Sequence, residues 1–378
     1  MLIGRSVFCS VVIASIASVV ACGGDGGTPA MPGGGGSASG AMSMAGVMNT
    51  AGATSGGGAG GAAGSATGGG GAGNVAGGGA AGAGGGGAGG GAPMPVVPVM
   101  RDGVWGFDMG EVTLEVSAEI GGRITAFRHG AENMLTGPTV NELYWGSTLW
   151  TSPESQWSQP PPAPIDSAPY TAQVMGEKLV LTGMPYEMLG VSVTKTLWAD
   201  PVAQAFKIEY KLNNTQQTAI QMTPWEVTRV FPRGLSFFPT GTTDRLSNNA
   251  TLMTTKSDGI TWFAYDMAAV TEDSKLWADG SEGWLAHVAA GLVFIKTFAD
   301  VPPAMIAPNE GDVELYVNAP DMAAGRYIEL ENQAAYGMIA PGANVAWTVT
   351  WYLRKLPDGM QATPSAALAQ LVRDTIAP

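Results

Sequence analysis

From Arg101 onward, apolar and polar residues alternate with a period of two. Val112, Leu114 and Val116 interleave with Thr113 and Glu115, and Phe206, Ile208, Tyr210 and Leu212 with Lys207, Glu209 and Lys211. The runs Val313–Val317 and Trp347–Leu353 repeat the pattern. Successive side chains of a strand point to opposite faces, so each run predicts a half-buried strand of an antiparallel sheet. The run Arg326–Gln333 carries the most unusual alternation. Ile328 and Leu330 fall on one face, Glu329, Glu331 and Gln333 on the other. Two carboxylates at i and i+2 sit roughly 7 Å apart, close enough to require a counter-charge, a solvent-filled cleft or a function. A solvated strand face is the plainer reading of the same residues. Turn signals separate the runs at His129–Asn133, Asn213–Thr215 and Ala340–Gly342. Near the C-terminus the period changes. Thr363 suits a helix cap, Pro364 the first helical position, and Leu368, Leu371, Val372 and Ile376 form a stripe. The pattern predicts an all-β sandwich with one short C-terminal helix over residues 99–378.

The first quarter of the chain has a different composition. Arg5 precedes an apolar segment, Val7 to Val20, that is too short for a stable span. It ends in Val19-Val20-Ala21-Cys22, which resembles a bacterial lipobox. That resemblance implies a signal peptide over residues 1–21 and lipidation of Cys22. Gly23 follows the cysteine, which by the same resemblance favours the outer membrane, at its periplasmic face or the cell surface. An ordinary cleaved signal is the alternative. Residues 22–98 are mostly Gly, Ala, Ser and Thr. They lack the apolar surface to offset ordering entropy. A disordered tether of roughly 50 Å end to end is expected.

Composition narrows the functions. The 378 residues carry a formal charge of −13, which argues against nucleic acid as a partner. The two cysteines, Cys9 and Cys22, lie outside the predicted domain, and the two histidines, His129 and His287, are far apart. No metal site and no cofactor is expected, and the domain reads as a monomer. The segment Tyr144–Trp157 breaks the alternation and gathers Trp145, Trp150, Glu154 and Trp157. Indole faces with short polar groups suit a sugar, whose C–H faces need covering and whose hydroxyls need partners. A loop that plugs the open end of the sandwich needs the same residues.

Two resemblances add to this reading. Ile120-Gly121-Gly122-Arg123-Ile124, then Leu315-Tyr316-Val317-Asn318 and Leu330-Glu331-Asn332-Gln333, resemble the galactose-mutarotase-like (aldose 1-epimerase-like) superfamily. That implies a β-supersandwich, with Glu331 in the place of the family's catalytic base. Trp150–Ser155, Pro224–Arg229, Asp279–Trp284 and Phe294–Phe298 resemble the bacterial family called domain of unknown function 4380. The superfamily's histidine acid has no counterpart: the corresponding strand reads Met222-Thr223-Pro224-Trp225-Glu226. A buried carboxylic acid can replace a histidine if its pKa rises, so Glu226 beside Trp225 is the candidate partner of Glu331. Arg229 falls on the face opposite Glu226 in a regular strand, Arg123 reads as a buried structural charge, and His287 as a core or rim histidine. Three functions follow: an envelope-anchored carbohydrate-recognition domain with Trp145, Trp150, Glu154, Trp157, Trp225, Glu329 and Gln333 around its cleft; a carbohydrate-active enzyme, epimerase-like or hydrolase-like, with Glu331 and Glu226 catalytic; or a structural or adhesive envelope lipoprotein. Glu226 and Glu331 in one cleft is the arrangement the enzyme requires.

Overall fold

A computed structural model describes residues 94–242, 252–319 and 325–377. The predicted signal peptide, the lipidation site Cys22 and all but the last residues of the predicted tether lie outside them. Two antiparallel sheets account for the fold. In chain order the strands are β1 (Val99–Arg101), β2 (Val104–Asp108), β3 (Val112–Ser117), β4 (Arg123–His129), β5 (Glu132–Asn133), β6 (Ser147–Ser152), β7 (Thr171–Met175), β8 (Lys178–Thr182), β9 (Val191–Asp200), β10 (Ala205–Asn214) and β11 (Ile220–Val230). They continue as β12 (Leu235–Pro239), β13 (Thr255–Ser257), β14 (Ile260–Ala264), β15 (Ser274–Ala278), β16 (Trp284–Ala289), β17 (Leu292–Thr297), β18 (Val313–Val317), β19 (Ile328–Gln333), β20 (Gly337–Ile339) and β21 (Asn344–Lys355). The first sheet runs β1-β2-β3-β4-β6-β11-β19-β18-β15, with β5 on β4 and β20 on β11. The second runs β13-β14-β12-β16-β17-β21-β10-β9-β8-β7.

The alternating runs became strands because each has one face to bury. Phe127 of β4 meets Phe206, Phe294 and Trp351 of the second sheet at ring-centroid distances of 5.9, 5.2 and 5.4 Å. These contacts mark the main core between the sheets. A second core covers the far side of the second sheet. There Phe237, Trp262 and Trp284 pack with Leu368, Ala369 and Val372 of the C-terminal helix (Ala366–Ile376). Its cap is Ser365, whose side chain accepts from Leu368 N, rather than Thr363. Ser365 is the extended residue just before the first helical turn, so its hydroxyl is the one that reaches a free N–H. A third, smaller cluster of Trp150, Trp225 and Val227 lies on the outer face of the first sheet, with Tyr144 and Trp157 packed against it.

Candidate functional site

Strands β11 and β19 are neighbours at the centre of the first sheet, and their register decides which side chains share a face. Trp225 stands opposite Gln333, Val227 opposite Glu331, and Arg229 opposite Glu329. Glu226 stands opposite Asn332, on the other face. Glu226 therefore points between the sheets, where its carboxylate accepts from Tyr210 Oη at 2.6 Å and Trp351 Nε1 at 3.3 Å and pairs with Lys296 Nζ at 2.8 Å. Lys296 also donates to Thr228 Oγ1 and the Leu330 carbonyl, both at 3.0 Å. Burial holds the Lys296 ammonium below its usual pKa against the pull of Glu226, and raises the Tyr210 phenol well above its own. The expectation that Glu226 and Glu331 share one cleft fails on this register, because an odd spacing from the Trp225–Val227–Arg229 set turns Glu226 inward.

The outer face holds the other candidates, and it is not a solvated one. All six residues of β19 are buried. Arg229 Nε pairs with Glu329 Oε1 at 2.7 Å, and Arg229 Nη1 donates to Thr148 Oγ1 at 2.9 Å. Lys275 Nζ, reaching in from β15, bridges Glu314 Oε2 at 2.6 Å and Glu331 Oε2 at 3.0 Å. Gln333 Nε2 and the Gly311 N–H both donate to Glu314 Oε1 at 2.7 Å. Glu310, in the loop before β18, touches Glu314 and accepts from the backbone N–H of Glu154 at 2.8 Å. Four carboxylates thus face two cations, Arg229 and Lys275. Burial raises Glu314 well above the carboxylate range, with Glu331 and Glu310 adding to the rise against Lys275. Burial likewise lifts Glu310, and lifts Glu329 to about 7 despite Arg229. For Lys275 and Arg229 the carboxylates outweigh desolvation, so both stay charged.

Aromatic rings wall this charged strip. Trp150 meets Trp225 edge to face at 5.2 Å and Trp157 at 5.6 Å. The Arg229 guanidinium lies 4.8 Å from the Trp150 ring, and Lys275 Nζ lies 4.6 Å over Trp225, both within cation–π range. Trp150 Nε1 donates to Asp166 Oδ1 at 2.8 Å, and Asp166 Oδ2 pairs with Arg123 at 3.0 Å. Tyr144, Trp157, Trp277 and Tyr316 are half-buried and form the rim. Among the buried polar atoms of this face without a hydrogen-bond partner among the described residues are Trp225 Nε1, Arg229 Nη2, Glu331 Oε1 and Gln333 Oε1.

The structure therefore brings together Trp150, Trp157, Trp225, Glu329, Glu331 and Gln333 of the sequence candidates, with Glu154 at the edge through Glu310. Trp145 stands apart: its ring covers the Arg123 guanidinium at 5.0 Å. Arg123 is a buried structural charge that also donates to the Leu143 and Trp145 carbonyls. His287 is buried in the second sheet, its Nδ1 2.9 Å from Ser236 Oγ, and burial presses its pKa to about 3. His129 lies at the β4–β5 hairpin beside Glu111, so neither histidine joins the face. Sequence reasoning missed Lys275, Glu314, Glu310 and Asp166. Glu314 was visible in the alternation of β18; Lys275 and Asp166 carried no local signal.

A family model matches residues 106–354. The chain belongs to the family described as domain of unknown function DUF4380. Among curated proteins nothing matches. Among solved structures, this family member is similar to a TPR-domain containing protein from Parabacteroides distasonis (12% identity, TM-score 0.48, covering 69% of this chain and 49% of that one). It is also similar to a putative aldose 1-epimerase from Klebsiella pneumoniae (12%, 0.47, 72% and 84%) and a galactose mutarotase-like protein from Lactobacillus casei (9%, 0.46, 68% and 100%). The chain spans about half the length of the first of these. No residue role is carried over from them.

Proposed function

We propose that the outer face of the first sheet is a carbohydrate-recognition site, on a protein held at the cell envelope through lipid on Cys22. The observation that carries the reading is a group of unpartnered polar atoms, four of them on residues at the centre of the face. Two are donors, Trp225 Nε1 and Arg229 Nη2, and two are acceptors, Glu331 Oε1 and Gln333 Oε1. Their residues are at most 1% exposed, and three indoles adjoin them. A buried polar group without a partner costs about 1–3 kcal/mol. A ligand that supplies hydroxyls along one edge and C–H groups along one face offsets that cost and uses the rings as well. Sugars have this chemistry. Glu331 acts in binding: Glu226, its partner in the paired-glutamate scheme, lies across the sheet, and both histidines lie elsewhere.

A glycan-array screen of the mature chain tests the site. We expect retention of a glycan class, loss of retention in Trp225→Ala, and retention in Glu226→Gln. A folded chain that holds no glycan, or a Trp225→Ala variant that binds as well as the unsubstituted chain, refutes the reading and leaves the structural or adhesive function. Turnover of a bound sugar that stops in Glu331→Gln replaces it with an enzyme. For the anchor, metabolic labelling with palmitate is expected to mark the chain and not Cys22→Ser; equal labelling of both overturns it.

A further inference from the structure

Carboxylates outnumber cations on the outer face. Glu329 is answered by Arg229, in register across β11 and β19. Glu314 and Glu331 also stand directly opposite each other, across β18 and β19, and share the single ammonium of Lys275. Glu310 adds a fourth carboxylate in contact with Glu314. If all four ionise, two negative charges exceed the cations on a face where solvent screening is weak. An acidic cluster alone does not define a ligand. The second observation is independent of it: Gln333 Oε1, a neutral acceptor on a residue 1% exposed, has no partner, and neither does Glu331 Oε1 one strand position away on the same face. Both atoms accept, and the nearest cation already spends its donors on Glu331 Oε2 and Glu314 Oε2.

We propose that the sugar recognised at this face bears a free ammonium group, held by Glu331 Oε1 and Gln333 Oε1. The inference rests on the carbohydrate reading above and names its substrate class. Lys275 shows within the chain what such a group gains. Its Nζ is taken by two carboxylates while lying 4.6 Å over the Trp225 ring, so the face already stabilises one primary ammonium by charge and by cation–π contact. A second ammonium favours the ionised form of carboxylates that burial otherwise drives toward protonation, and supplies donors to both free acceptors. The hydroxyls of the same ring meet the donors left over, Trp225 Nε1 and Arg229 Nη2. An anionic sugar brings no cation to a face rich in carboxylates. An N-acetylated one brings a single neutral N–H to a pair of acceptors.

The test compares the full chain's affinity for a glucosamine trimer, its N-acetylated counterpart and a glucose trimer by titration calorimetry near neutral pH. We expect the aminated trimer to bind about tenfold or more tightly than either neutral trimer, a difference of about 1.4 kcal/mol. Glu331→Gln is expected to reduce that preference below about threefold, weakening the aminated trimer more than the glucose trimer. Because Glu331→Gln also disturbs Lys275, a second variant runs in the opposite direction. Lys275→Met removes the internal cation and is expected to strengthen binding of the aminated trimer, an outcome that loss of folding cannot produce. Equal or tighter binding of the neutral trimers overturns the ammonium inference and leaves the carbohydrate reading standing. Weaker aminated-trimer binding by folded Lys275→Met overturns it too. Failure of every glycan on the array and of all three trimers overturns both.

Discussion

Replacing Lys296 by Met measures whether Glu226 is a structural charge. Both side chains are 0% exposed, and the ammonium holds Glu226 Oε2 at 2.8 Å with Thr228 Oγ1 and the Leu330 carbonyl at 3.0 Å. The substitution keeps the stem volume and removes the charge. Glu226 then keeps only the Tyr210 hydroxyl and the Trp351 N–H as donors. Breaking a buried pair from one side costs about 3–5 kcal/mol, because the carboxylate left behind must stay desolvated or take up a proton. The double substitution Glu226→Gln with Lys296→Met removes both charges. The amide oxygen still accepts from Tyr210, so the double variant is expected to recover to within about 1–2 kcal/mol of the unsubstituted protein. The coupling between the sites is thus roughly 2 kcal/mol or more. Urea unfolding followed by tryptophan fluorescence gives the three differences. A cost below about 1 kcal/mol for Lys296→Met, or additivity of the two changes, refutes the assignment. So does a folded Glu226→Gln that no longer binds glycan, which returns Glu226 to the site.

Two further substitutions test the frame around the face. His287 is held neutral by burial, with a folded pKa of about 3 against an ordinary 6.5. The unfolded chain takes up a proton below pH 6.5 that the folded chain refuses until about 3, so stability attached to this residue falls as pH drops through that window. His287→Asn keeps an acceptor for Ser236 and is expected to lessen the loss between pH 7 and 4.5 by about 2–3 kcal/mol, read from urea titrations at both pH values; an unchanged pH slope contradicts the buried neutral histidine. Raised carboxylates such as Glu329 act in the opposite sense, binding a proton more tightly when folded, and cancel in the comparison. Gly121 adopts φ +65°, and a Cβ there falls 1.9 Å from the Asp166 carbonyl oxygen, whereas Gly103 at φ +83° has nothing within 4 Å. Gly121→Ala is expected to cost roughly 3 kcal/mol or more and Gly103→Ala about 1–2 kcal/mol; equal thermal midpoints for the two variants contradict the close approach of the β3–β4 turn to Asp166.

How much of this was legible in the sequence depends on the range of the interaction. The alternation in Val313–Val317 and Ile328–Gln333 is a local property of extended backbone, and those strands formed where it placed them. The i, i+3 spacing of Glu226 and Arg229 correctly put them on opposite faces. The same rule applied across strands needs the pairing register, which no single run contains. Without it the enzyme reading could still place Glu226 and Glu331 in one cleft, and Glu329 and Glu331 could pass for a solvated strand face. Their burial comes from residues remote in sequence: the aromatic loop that contributes Trp150 and Trp157, the Glu310 loop, and Lys275 from a strand 56 residues before Glu331.

The register also distinguishes two kinds of buried charge pair on the same face. Arg229 opposite Glu329 is an ordinary cross-strand pair of opposite charge. Glu314 opposite Glu331 is the reverse: like charges directly across a ladder destabilise it, here without water to screen them. Lys275 relieves part of that repulsion, and the pKa of Glu314 rises to relieve more. An apolar pair at these two positions would remove the cost, since buried ion networks exchanged for well-packed apolar groups are often neutral or stabilising. The inter-sheet network around Glu226 satisfies both of its carboxylate oxygens internally. The outer face leaves donors and acceptors unmet beside the indoles. A frustrated charge pair and unmet hydrogen bonds on one face are the pattern expected where local rules have yielded to binding, and they are why the proposed site centres on Glu331 rather than Glu226.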